Sequence, residues 1–88
     1  NSKMHFLKLQ IQYGGDVYEM ILPTNSSDPI VEELQQHIEK QFNIPTHVQR
    51  IMFKGQNLHE QPTGALRRYG ITNASLIRLV GRKQPIRR

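Results

Sequence analysis

Two stretches near the start of the chain alternate between hydrophobic and polar residues, which is the period of a strand with one buried face. Over residues 5–13 the apolar positions are Leu7, Leu9 and Ile11, and the polar positions are Lys8, Gln10 and Gln12. Gly14 and Gly15 follow, and paired glycines supply the positive φ angles of a tight hairpin turn. The alternation resumes over residues 17–22, with Glu19 predicted outside and three side chains predicted inside: Tyr18, Met20 and Leu22. We therefore predict a β-hairpin.

A helical period follows a short polar connection. Apolar residues recur three to four positions apart, at Ile30 or Val31, Leu34, Ile38 and Phe42. Polar and charged residues occupy the other face, so the spacing predicts an amphipathic helix of about four turns. We predict its start at Asp28 and Pro29, because aspartate caps free backbone N–H groups and proline suits the first helical position. Asn43 can end the helix in the left-handed conformation, and Pro45 prevents its continuation.

The second half of the chain contains shorter apolar runs. They predict a third strand over residues 48–54, an anchor at Leu58, a single helical turn over Leu66–Tyr69 and a last strand over Ser75–Val80. Alternation turns four side chains of these strands inward: Ile51, Phe53, Ile77 and Leu79. The order of elements predicts an α+β fold, in which a mixed five-stranded sheet packs on one amphipathic helix. With the first and last strands paired in parallel at the centre, this is a β-grasp.

Composition narrows the function classes. The chain has 88 residues and no cysteine, so it fits a single domain without disulfides, reactive thiolates or the common structural zinc sites. Its four histidines are too widely spaced for a metal-ligand pair, and we predict that they are solvated. No nucleophile–base pattern is present, so we expect neither an enzyme nor a cofactor. The longest apolar run, three residues, is far below the roughly 18 that span a bilayer. We expect a monomer in the cytoplasm or nucleus.

The net charge of +5 is distributed unevenly. Residues 1–44 hold three basic and six acidic side chains, whereas residues 45–88 hold nine basic and one acidic. One hypothesis is therefore a basic β-grasp domain that binds an acidic partner such as a small GTPase, or nucleic acid, through basic edge strands. The chain has three phenylalanines, three tyrosines and no tryptophan, so few rings are available for base stacking and nucleic acid is the less favoured partner.

Several segments resemble ubiquitin. Ile44 and Pro45 match its Ile-Pro pair, and residues 49–58 are similar to its Gln-Arg-Leu-Ile-Phe-Ala-Gly-Lys-Gln-Leu run. Three later residues match its Leu-x-x-Tyr-x-Ile turn: Leu66, Tyr69 and Ile71. We predict that the Tyr69 hydroxyl holds this turn by bonding to the backbone. The resemblance covers residues 7–81 and implies a ubiquitin-like domain, placed at residues 6–82 between a flexible N-terminal segment (1–5) and a basic tail or linker (83–88).

A narrower resemblance is to the ubiquitin-like domain of the founding BAG-family co-chaperone. It lies in residues 26–31, in residues 53–55 together with Leu58, and in residues 79–83. The resemblance implies a non-conjugated domain that docks on proteasomal ubiquitin receptors and brings chaperone clients to degradation. Contact with the heat-shock chaperone would belong to a BAG domain outside this chain. Ubiquitin is conjugated through a terminal Gly-Gly, whereas Gly81 here stands alone, so we expect no conjugation.

The ubiquitin resemblance also implies a binding site. Ubiquitin's recognition patch has an isoleucine on the third strand, a valine and a histidine on the last, and a leucine in the first hairpin. These positions fall on Met52, Val80 and Arg78, with the leucine lost at or beside Gly14. Strand alternation also places Met52 and Val80 on the solvent side. The predicted partner-binding residues are Met52, Val80, Arg78, Arg50 and Lys54, an apolar spot with a basic border suited to an acidic-flanked receptor helix. The alternative is that these are ordinary exposed side chains with no role in binding.

Overall fold

The computed structural model describes residues 4–25 and 27–82. The strands are β1 (His5–Tyr13), β2 (Asp16–Thr24), β3 (Arg50–Phe53), β4 (Gln56–Asn57) and β5 (Ser75–Val80), and helix α1 (Val31–Phe42) lies between β2 and β3. Short 3-10 helices occupy Thr46–Val48, Leu58–Glu60 and Leu66–Tyr69. The strand order across the sheet is β2-β1-β5-β3-β4, with β1 and β5 parallel and the other neighbours antiparallel. The predicted β-grasp, a mixed five-stranded sheet with one helix, is confirmed.

The first hairpin forms as predicted, with one difference at its turn end. Gly14 and Gly15 have φ angles of 63° and 89°, the left-handed values that the turn requires. Tyr18 was predicted inside, but its side chain is 40% exposed. The reason is that α1 ends at this point: the Tyr18 ring packs edge-on against Phe42, the last residue of the helix, at a centroid distance of 5.3 Å.

The helix begins later than predicted and is capped by other groups. Val31 is its first residue and Ile30 its N-cap, so α1 has 12 residues, a little over three turns, and the predicted start at Asp28 and Pro29 is wrong. The Glu33 carboxylate accepts the N–H of Ile30 at 3.1 Å. Backbone carbonyls of the 62–64 loop accept the next two N–H groups, at 2.9 and 2.8 Å. Long-range partners therefore set the first turn.

The two ends of the predicted helix behave differently. Asp28 does not serve as the N-cap; its carboxylate lies 3.1 Å from the guanidinium of Arg67. The predicted C-terminal end is confirmed, because Asn43 adopts φ 60° and ψ 39° and donates its N–H to the Glu39 carbonyl. A local signal, the asparagine before proline, was sufficient there.

The third strand is shorter than predicted. Thr46–Val48 forms a 3-10 turn, and β3 starts only at Arg50. Gln49 is the cause, since its buried amide nitrogen donates to the carbonyls of Gln35 and Ile44, each at 2.9 Å. The bond to Gln35 holds the segment against the middle of α1, and the chain enters the sheet only at Arg50.

One face of the sheet, the closed face, packs on α1. Its inward positions are mostly apolar, with Thr24 of β2 a buried polar exception, and the predicted inward residues Ile51, Phe53, Ile77 and Leu79 are buried. Residues of all layers form a single core: Leu9, Ile11, Met20, Leu22, Val31, Leu34, Ile38, Phe42, Ile44, Ile51, Phe53, Leu58, Leu66, Ile71, Ile77 and Leu79. The other face, the open face, displays the alternate residues of the same strands.

The predicted turn at Leu66–Tyr69 is present, but its tyrosine has a different partner. The Tyr69 hydroxyl donates to the side-chain oxygen of Gln61 at 3.1 Å rather than to backbone. Within residues 4–25 and 27–82, no helix has the length and apolar composition needed to cross a membrane. The predicted basic tail (83–88) and residues 1–3 of the predicted N-terminal segment lie outside the described residues.

Candidate functional site

The open face of β3 and β5 gathers all the predicted partner-binding residues. Strand alternation leaves Arg50 and Met52 of β3 on this face, with Leu76, Arg78 and Val80 of β5. The antiparallel register places Arg50 opposite Val80 and Met52 opposite Arg78. Met52 and Val80 therefore each have an arginine as a cross-strand neighbour.

Lys54 and Leu76 continue the same arrangement beyond the paired residues. Lys54 follows β3 with a left-handed φ of 50°, and it borders a depression together with Leu76. The result is a surface of alternating apolar and basic side chains, which we call the checkerboard: Arg50, Met52, Lys54, Leu76, Arg78 and Val80. Met52 is half-buried at its centre, whereas Leu76 and Val80 are 45% and 42% exposed.

Leu76 was missed by the sequence reasoning. Ubiquitin's patch has no member at this strand position, so transfer from that patch could not identify it. The signal was nevertheless present, because inward Ile77 and Leu79 require positions 76, 78 and 80 to share the other face. Strand alternation alone would have found a third apolar side chain.

Gly14 leaves one side of the checkerboard open. The parallel register pairs Gln12 with Arg78, and its continuation past the end of β1 brings Gly14 to the level of Val80. A Cβ atom built on Gly14 would meet no atom within 4 Å. The structure is consistent with its predicted role in shaping the hairpin, and no side chain here supplements Val80.

The cations of the checkerboard are available to a partner. The salt bridges among the described residues are Lys8–Glu19 at 3.3 Å and Arg67–Asp28 at 3.1 Å, and neither includes a checkerboard residue. The Lys54 ammonium lies 5.3 Å from the centroid of the Phe53 ring, a cation–π contact that involves no carboxylate. The surface is therefore electropositive around its apolar members.

A shallow depression of about 230 Å³ lies within the checkerboard. Its lining is Gln12, Met52, Lys54, Gly55, Leu76 and Arg78. A larger hollow of about 330 Å³ lies elsewhere, between the start of α1 and the 3-10 turns, and includes His59. That histidine was predicted to be solvated, but it is half-buried and its Nδ1 accepts the Ile51 N–H at 3.1 Å. Across the described residues, no three histidine or acidic side chains are placed to share a metal ion.

The chain belongs to the ubiquitin family, whose sequence profile matches residues 8–84. Among characterised relatives it is similar to BAG family molecular chaperone regulator 1 of Rattus norvegicus, at 29% identity over 79 residues, and to the same protein of Mus musculus at 28%. The match covers 88% of this chain but 22% of each relative, so the chain spans about a fifth of their length.

Solved structures show the same fold. The ubiquitin-like (UBL) domain of Plasmodium falciparum Dsk2 superimposes with a TM-score of 0.73 at 24% identity, covering 89% of this chain and all of that domain. ATBAG1, solved in complex with HSP70, gives a TM-score of 0.71 at 20% identity over 85% of this chain and 40% of that one. At these identities the likeness establishes architecture and no more.

Proposed function

We propose that this domain is a non-conjugated, ubiquitin-like protein-interaction module of a chaperone regulator. It docks on proteasomal ubiquitin receptors and so links chaperone clients to degradation. The observation that supports this most directly is the checkerboard, where the positions corresponding to ubiquitin's patch lie together on the open face as half-buried Met52 and exposed Arg78 and Val80. Similarity to BAG family molecular chaperone regulator 1 supports the link to chaperones.

The chemistry of the surface suits one kind of partner element. A receptor helix can lay a stripe of apolar side chains over Met52 and its neighbours while its carboxylates meet the arginines. Each apolar side chain that becomes buried contributes about 1.5–3 kcal/mol before ordering costs, so weak to moderate affinity is expected. The basic border raises the association rate of acidic partners and disfavours basic ones.

The end of β5 supports a role without conjugation. The chain continues as Gly81-Arg82-Lys83-Gln84, without a Gly-Gly pair. The Gly81 carbonyl accepts the Tyr13 hydroxyl at 3.0 Å, and a Cβ at Gly81 would lie 3.0 Å from Ile44. A glycine held this closely is a poor substrate for enzymes that need an extended, accessible terminus.

The remaining parts of the proposal concern the wider protein. We propose that contact with the heat-shock chaperone is made by a BAG domain outside this chain, as the relatives' greater length allows. The domain itself acts as a monomer, in the cytoplasm or nucleus, as a binding module rather than a catalyst, with no membrane contact.

The alternative, a basic edge strand that recruits an acidic partner, is less well supported. The long edge strand of the sheet is β2, which contains Asp16 and Glu19 and no lysine or arginine. The opposite edge, β4, has only two residues. The basic residues instead lie on the face of β3 and β5, where they surround apolar side chains rather than line an exposed backbone edge.

A titration tests the proposal. The ubiquitin-interacting helix of a proteasomal receptor is added to the ¹⁵N-labelled domain, and amide shifts are followed. We expect concentrated changes at Met52, Arg78 and Val80. Met52→Glu should weaken binding by about tenfold or more, because it places a carboxylate where the partner is acidic.

The matched control is Ile21→Glu, which makes the same change of character elsewhere on the open face. Ile21 is 54% exposed on β2 and faces Lys8, so a carboxylate there is tolerated. This variant should bind as the native domain does. The proposal is refuted if the three amides do not move, or if the two variants lose affinity equally.

A further inference from the structure

We propose that the anchor point of this interface is the depression between Met52 and Leu76, and that it receives one aliphatic side chain from an acidic amphipathic helix. This inference rests on the proposed function and makes it specific. It assigns more of the binding free energy to the Leu76 side of Met52 than to the Val80 side. Val80 occupies a position of ubiquitin's patch, whereas Leu76 has no counterpart there.

The depression is walled by residues on one side of Met52. Met52 lies opposite Arg78, so Leu76 and Val80 are its two diagonal neighbours on β5. The depression lies on the Leu76 side: its lining includes Met52, Leu76 and Gly55, and does not include Val80. A side chain entering here loses water contact on several sides, which is the setting of an interface hot spot.

The opposite end of the checkerboard is open on its hairpin side. At the level of Val80 the hairpin offers Gly14, around whose absent side chain there is open space. A partner group beside Val80 therefore keeps more contact with solvent than one beside Leu76. Since the gain from burial scales with the apolar area removed from water, the Leu76 side should contribute more.

Size and charge define the occupant. At about 230 Å³ the depression is smaller than the roughly 300–1,000 Å³ of small-molecule sites, so one side chain is a better fit than a free ligand. Lys54 and Arg78 stand on its border and no carboxylate lines it. On a helix, residues three or four positions apart share a face, so carboxylates one turn from the anchor residue can reach these two cations.

A matched pair of β5 variants tests the inference. Leu76→Thr and Val80→Thr both replace an exposed aliphatic residue with a polar residue that favours strands. Affinity for the receptor helix is measured by calorimetry and stability by thermal unfolding. We expect about a tenfold loss for Leu76→Thr and a loss of about threefold or less for Val80→Thr, with similar unfolding midpoints.

Intermolecular methyl contacts give a second measurement. The anchor places the Leu76 methyl groups next to an aliphatic side chain of the helix, with weaker contacts at Val80. The inference is wrong if Val80→Thr costs as much as Leu76→Thr, or if Leu76 shows no such contact while Met52→Glu still abolishes binding; the proposed function then survives. If the native domain does not bind the helix, both are overturned.

Discussion

The two faces of β5 show how one strand serves two purposes. Ile77 and Leu79 point toward α1 and are fully or almost fully buried, whereas Leu76, Arg78 and Val80 point to solvent. On β5 the closed face is apolar because it only has to exclude water. The open face mixes apolar and basic residues, a combination that folding does not need. The difference separates positions that build the domain from positions free to recognise a partner.

The open face is itself divided into two regions. On β1 and β2 the charges of Lys8 and Glu19 compensate each other at 3.3 Å. On β3 and β5 the arginines have no acidic cross-strand neighbour among the described residues. The same sheet face therefore presents a neutralised half and an electropositive half, and the second contains the depression beside Leu76.

The largest expected effect comes from comparing alanine substitutions at two adjacent residues of β5 that lie on opposite faces of the sheet. Ile77→Ala should destabilise the domain by about 2–5 kcal/mol, because it leaves a cavity under the helix. Leu76→Ala should change the free energy of unfolding by only about 0.5 kcal/mol, because the side chain is already partly solvated. Urea unfolding of both variants measures the contrast. Comparable losses at the two positions would show that the open face also has a structural role.

A smaller effect should distinguish the two halves of the open face. Arg78→Gln and Lys8→Gln each remove one positive charge from exposed strand positions. We expect Arg78→Gln to weaken binding to the receptor helix by about threefold and to flatten its salt dependence, as for a border charge. Lys8→Gln should leave both nearly unchanged, because Glu19 already compensates that lysine. The affinity of each variant for the receptor helix is measured at 50 and 300 mM salt. Equal changes in the two variants would show that the two halves of the open face do not differ in binding.

The smallest effect concerns the outer surface of α1. The pKa of His37 is lowered from its ordinary value by partial burial and, secondarily, by Lys40. The folded state therefore takes up a proton less readily than the unfolded chain. This contribution to stability is present above pH of about 6.5 and is lost as the pH falls from there toward the lowered pKa. We expect a slight loss of stability over that interval.

His37→Gln should remove that part of the pH dependence, and Lys40→Gln should reduce it. His47→Gln, at an exposed histidine, is the control. Urea unfolding between pH 7.5 and 5 measures all four proteins. If the free energy of unfolding of His37→Gln falls with pH as it does in the native domain, other groups are responsible for the loss of stability.

Local patterns were sufficient for most of the fold. Alternation gave the hairpin and the inward residues of β5, and Asn43 gave the end of the helix. The helix start was not predictable in the same way, because the N–H groups of Val31 and Glu32 bond to carbonyls of the distant 62–64 loop. Gln49 likewise delays β3 through bonds to Gln35 and Ile44 that no local pattern indicates.

The candidate site also has features that local patterns predict and features that depend on contacts between distant parts of the chain. Resemblance and alternation together placed five residues on one surface, and the structure brings those five together. The pairing of Met52 and Val80 with arginines depends on strand register, which short strands do not specify by pattern alone. The concavity beside Leu76 depends on three strands and the turn at Gly55, so it appears only when they are assembled.

The parallel pairing of β1 and β5 has a mechanical consequence. The chain enters at the start of β1 and leaves at the end of β5, and Leu9 to Gln12 run alongside Ser75 to Arg78. Pulling on the two ends draws these strands past each other along their length, so their hydrogen bonds resist in shear and share the load. Under the proposed function, such a domain can stay folded while force applied to the chain unfolds a neighbouring segment.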